Sequence, residues 1–100
     1  MTGCTFEELY YALSRNHEIE FVYKDNEYKL ELCGDKSSTV LAIYKNEENA
    51  PNIAELNVDI DKNGIAIVSN EDIFFILNCK CFDGKSFYDI EKDVEVTAIY

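Results

Sequence analysis

One hundred residues make an 11.5 kDa chain, the length of one domain; at that size about 65% of the unfolded surface is buried, and a 47% hydrophobic, 13% aromatic composition supplies a core without staples. Nine basic residues against twenty acidic ones leave a net charge of −11. That balance argues against nucleic acid or an anionic membrane as a direct partner, since both need a basic footprint, and favours a basic protein partner or plain solubility.

Five acidic residues fall in each quarter of the chain, so the charge belongs to the folded surface rather than to a tail. The longest apolar run, Ile73 to Leu77, is far too short to cross a bilayer. Met1-Thr2-Gly3 does not open a signal peptide. The expected setting is the cytoplasm, which keeps Cys4, Cys33, Cys79 and Cys81 reduced. Free thiols of this kind behave as small hydrophobes.

Thr5-Phe6-Glu7-Glu8 spells a capping box that opens the first helix. Phe6, Leu9, Tyr10 and Leu13 then form one apolar stripe. Arg15 suits the negative end of the helix, and Asn16 suits a left-handed exit. After His17 the pattern alternates. Ile19, Phe21 and Tyr23 face one way, with Glu18, Glu20 and Lys24 opposite. Tyr28, Leu30 and Leu32 repeat this beyond an expected Asp25-Asn26-Glu27 turn, which predicts a hairpin with one wet face.

Val40 to Tyr44 reads as a third strand, after a turn over residues 34–38. The stretch from Lys45 to Asn52, which holds the single proline, Pro51, reads as a loop. Ala54, Leu56, Val58 and Ile60 alternate with Glu55, Asn57, Asp59 and Asp61, which predicts one continuous strand. It closes through Lys62-Asn63-Gly64 into Ile65 to Val68.

Ser69 with Asp72 caps a second helix over about residues 70–80. Ile73 to Leu77 is apolar on every side, so this helix is expected to be sandwiched. A turn at Asp83-Gly84, a short helical turn from Ser86 to Ile90 and a last strand through Val94, Val96 and Ala98 complete the chain. The predicted fold is a single α+β domain over residues 1–100, an antiparallel sheet of about five to six strands with both helices packed on it.

Two segments carry a resemblance: the hairpin opening Glu18-Ile19-Glu20-Phe21-Val22-Tyr23, and the closing motif Asp83-Gly84-Lys85-Ser86-Phe87-Tyr88-Asp89-Ile90. Together with the short capped helix, they resemble small acidic α+β proteins of Gram-positive bacteria, their phages and other mobile elements. That group has no assigned function. The resemblance implies a cytosolic α+β module and no activity. Glu91 stands where the group usually has tryptophan, and the middle, about residues 46–63, is longer than usual. Specificity is therefore expected in the middle.

Candidate chemistry is sparse. Asp59-Ile60-Asp61-Lys62-Asn63-Gly64 matches the first half of a calcium loop, but position 12 is Asn70, with Glu71 one place late. A hairpin turn accounts for the same letters. Cys79-Lys80-Cys81 lacks the spacing of a zinc knuckle. A site with three cysteines and His17, the single imidazole, is arithmetically open. His17 is also the one imidazole base for a nucleophile, on a tight helix-to-strand link where a surface role is expected. No glycine-rich phosphate loop occurs. The expectation is a chain with no catalytic set, metal or cofactor.

Between Lys45 and Lys62 no basic residue interrupts Glu47, Glu48, Glu55, Asp59 and Asp61. On one strand, alternate side chains repeat at about 6.5–7 Å, close to the phosphate repeat of one nucleic-acid strand. These five residues are the predicted partner-binding site. The expected function is a non-catalytic module that inhibits a nuclease by occluding its basic nucleic-acid-binding groove. Phage anti-defence proteins such as anti-CRISPRs, and immunity proteins against nuclease toxins, are the analogous classes. The alternative is a self-assembling structural or regulatory module, a homodimer formed through the apolar helix at 73–77.

Overall fold

Helix α1 (Phe6–Ser14) begins where the capping box places it. The Thr5 hydroxyl accepts the Glu8 amide at 3.1 Å, and the Glu8 carboxylate accepts the Thr5 amide at 3.0 Å. Leu9, Ala12 and Leu13 are buried, and Asn16 leaves the helix at φ 62°. In this computed structural model, residues 1–35 and 38–100 are described.

Strands β1 (Ile19–Tyr23) and β2 (Asn26–Asp35) form the first hairpin. Its turn is Lys24-Asp25, not the expected Asp25-Asn26-Glu27. Both residues take positive φ, 49° and 64°, as the two-residue loop that matches strand twist requires. Strand β3 (Ser38–Lys45) pairs back along β2 as far as Asp35↔Ser38. Of the turn expected at 34–38, Lys36 and Ser37 lie outside the described residues. The loop around Pro51 separates β3 from β4 (Asn52–Asn57) as predicted.

The continuous strand expected from Ala54 to Asp61 does not form. Strand β4 ends at Asn57, and the Val58 amide donates to Thr39 O at 3.2 Å. The β3 ladder begins at Ser38, so it offers the chain almost nothing further to pair with. The polypeptide leaves the main sheet and makes a separate hairpin, β5 (Asp59–Ile60) with β6 (Ala66–Ile67).

Helix α2 (Asn70–Leu77) carries the predicted cap. Ser69 and Asp72 exchange both bonds, at 3.0 and 3.1 Å. It is not sandwiched. Ile73, Ile76 and Leu77 form the buried stripe, while Phe74 and Phe75 are each 56% exposed. A helix turns about 100° per residue, so one covered side cannot receive five consecutive side chains. Phe74 leans on Tyr88, with ring centroids 5.8 Å apart, and Phe75 points to solvent.

A third capping box, unread in the sequence, opens α3 (Phe87–Ile90): Ser86 and Asp89 bond reciprocally at 2.9 and 3.2 Å. Strand β7 (Glu95–Ile99) then closes the sheet, whose order is β4-β3-β2-β1-β7. All named pairs are antiparallel.

The helices cover one sheet face. Ile19, Leu30 and Ile43 sit abreast across β1, β2 and β3 and are closed to solvent. Phe21 stacks on Tyr28 at 5.3 Å and meets Phe87 and Phe82 edge-on; such pairs add to simple area burial. The result is a compact α+β domain. Among the described residues no helix is long and apolar enough to cross a membrane.

Candidate functional site

Side chains alternate along a strand, so the register that fills the core also fixes what the opposite face displays. Its cross-strand rows are Glu95–Val22–Glu27, Glu20–Lys29–Tyr44, Glu31–Ala42–Glu55 and Cys33–Val40–Asn57. Ala42 is fully closed to solvent yet lies outside the core cluster, which places it beneath the side chains of this second face.

With Glu18, which reaches Lys29, six carboxylates among the described residues lie on the open face: Glu18, Glu20, Glu27, Glu31, Glu55 and Glu95. Lys29 is the one base in these rows. Its ammonium stands 2.9 Å from Glu18 Oε1 and 3.9 Å from Glu20 Oε1. The hydrogen bond to Glu18 holds the Lys29 ammonium above its usual range.

The Tyr44 hydroxyl donates to the Glu31 carboxylate. Burial first, and then that bond, push its proton well above the ordinary tyrosine range. Burial also raises the Cys33 thiol, with Glu31, Glu55 and Glu18 adding to the effect. The register sets Glu31 and Glu55 on either side of Ala42, one row away from Cys33. A thiol raised in this way is a weak nucleophile at neutral pH. What this face offers is fixed negative charge around small apolar islands.

The predicted partner-binding residues are dispersed. Glu47 and Glu48 are exposed in the β3–β4 loop. Glu55 stands on the open face, where Asn52 Nδ2 donates to it at 3.1 Å. Asp59 is exposed on β5, outside the main sheet. Asp61 Oδ1 accepts the amides of Asn63 at 2.8 Å and Ile65 at 2.9 Å, so its carboxylate builds the β5–β6 turn. Of the five, only Glu55 joins the new field.

Glu18, Glu20, Glu27, Glu31 and Glu95 come from three strands and one link. Only the wet face of the first hairpin hinted at them. The turn reading of 59–64 agrees with the Asp61 bonds and with Gly64 at φ 80°.

The four cysteines are free. Burial pushes the Cys81 thiol up to about 11, and Cys79 Sγ donates to Phe75 O at 3.4 Å. His17 is exposed on the link from α1 to β1. Among the described residues no three His, Cys, Asp or Glu side chains converge as a metal site would need. No protein-family model, curated protein or solved structure matches this chain.

Proposed function

We propose that this chain is a non-catalytic binding module whose open sheet face docks on a basic protein surface, the nucleic-acid-binding groove of a nuclease or similar protein being the favoured target. One observation carries the reading: among the described residues, six carboxylates and a single ammonium share one face of a five-stranded sheet. Charges fixed on strands lose little freedom on binding, and complementary fields speed encounter. Occlusion of such a groove would make the protein an inhibitor, as in anti-defence or immunity proteins.

The test uses Glu27→Lys, Glu55→Lys and Glu95→Lys combined, three exposed positions. Immobilised wild-type protein should retain a basic nucleic-acid-binding protein from a bacterial lysate at low salt, and should displace duplex DNA from it. The triple reversal should stay folded and weaken that complex by roughly 3 kcal/mol, because like charges then face each other. Equal capture and equal displacement by the variant would refute the open face as the docking surface.

A second reading, self-assembly through α2, is favoured by the exposure of Phe74 and Phe75. It predicts a homodimer that forms without any other protein.

A further inference from the structure

Strand β7 is an edge of the sheet, with β1 on one side only. The N-terminal segment covers the start of the other side. Thr2 N donates to Val94 O at 3.0 Å, and Val96 N donates to Thr2 O at 2.9 Å. Gly3 then turns the chain away at φ 88°. A Cβ there would stand 1.9 Å from Val96 O, so only glycine allows this departure.

Past that point the edge is open. Glu18 and Tyr100 exchange both backbone bonds, at 3.3 and 2.8 Å. In an antiparallel ladder the next pair, Ile19↔Ile99, is then a non-hydrogen-bonded one. The N–H and C=O of Ile99 therefore point away from β1, towards the free side. The Ile99 side chain, 40% exposed, borders a groove of about 630 Å³ against α1. Tyr11, Ala12 and Ile99 give this groove apolar walls, and Glu7 and Glu8 stand beside them.

We infer that the open edge of β7 and this groove together take one extended, basic segment of a partner protein as an added strand. An exposed edge is a template for another strand, in which main-chain bonds give affinity and alternate side chains give specificity. The chain already shows the pairing once, at Thr2. Charge selects the occupant. Glu7 and Glu8 flank the groove, and a second copy of this −11 chain would meet them with like charge. A segment alternating basic and apolar side chains would set its apolar ones against Tyr11 and Ile99 and its cations against Glu7 and Glu8. This surface lies apart from the open acidic face and does not rest on its role.

The probe is a fluorescent, end-blocked peptide of alternating lysine and valine, about eight residues long, with a glutamate–valine peptide as its control. Anisotropy should show binding of the lysine peptide alone. Ile99→Pro removes the outward amide and should weaken binding about tenfold. Glu7→Lys, at an exposed position outside the capping box, should weaken it several-fold, and Glu71→Lys, exposed on α2 and away from the groove, should leave it unchanged. Amide exchange in the wild-type protein covers the case in which Ile99→Pro fails to fold: the Ile99 amide should gain protection when peptide is added. Equal binding of both peptides, loss of binding with Glu71→Lys, or no added protection at Ile99 would overturn the inference. So would a peptide-free dimer abolished by Ile99→Pro.

Discussion

Along β1 and β2 the residues aimed at the helices, Ile19, Phe21, Tyr28 and Leu30, are at most 6% exposed. Their neighbours on the same strands, Glu20, Glu27, Lys29 and Glu31, are half-buried or open. The inner face packs rings and aliphatic chains whose removal leaves holes, while the outer face holds charges that cost little to change one at a time. Stability and recognition are thus divided between two sides of one sheet, and a substitution should disturb one without the other.

The sharpest test of that division is Phe21→Ala. Phe21 is fully buried and touches three other rings, so the cavity should cost about 3–5 kcal/mol in urea unfolding. The fraction still folded should bind basic partners as wild type does. A smaller loss would mean that the helical layer collapses into the gap.

Two thiols probe the same contrast. Cys81 is raised by burial first, to about 11 from 9.0, so its thiolate fraction at pH 8 should be about a hundredfold below that of an unperturbed cysteine. Cys33 is raised by burial and then by Glu31, Glu55 and Glu18. Salt screens charges near a surface but not desolvation. Raising ionic strength should therefore speed alkylation of Cys33 and leave Cys81 slow. Identical salt responses would show that Glu31, Glu55 and Glu18 do not act together on Cys33.

A smaller effect belongs to the cap beneath the inner face. Ser86→Ala removes the hydroxyl that accepts the Asp89 amide and should cost about 1 kcal/mol. The Asp89 carboxylate is held below its usual range, first by the Ser86 amide. A depressed carboxyl stabilises the fold above its unfolded pKa, and that stabilisation is lost as pH falls through the folded value. Asp89→Asn should flatten this part of the acid unfolding curve; an unchanged curve would place the dependence elsewhere.

Local signals were legible in the sequence and long-range ones were not. The Thr5 and Ser69 caps are written within four residues, and the alternation of β1 places Phe21 inside. The Lys24-Asp25 turn was hidden because neither residue is a glycine or asparagine, although both adopt positive φ. The acidic run from Glu47 to Asp61 was conspicuous as a string, yet the ladder ends near Thr39 and disperses it. The field at Glu31 and Glu55 exists only because both flank Ala42 across β2, β3 and β4. Sequence distance conceals such a row until the register is known.

The smallest expected effect decides between the two functional readings. Phe75 stands at the centre of the apolar run Ile73 to Leu77, and its sequence context predicts a covered ring whose loss is expensive. The structure leaves it 56% exposed and outside the core cluster, so Phe75→Ala should change stability by no more than about 0.5 kcal/mol, as other surface positions do. The ring is also an apolar surface that a partner could cover. If α2 assembles copies, wild type sediments as a dimer, and Phe75→Ala yields a folded monomer of lower apparent stability, because association and folding are linked. If recognition belongs to the open sheet face, both proteins sediment as monomers and capture the same basic protein. Sedimentation of wild type and variant at matched concentration separates these outcomes: a dimer dissolved by this one change moves the functional surface from the sheet to the helix.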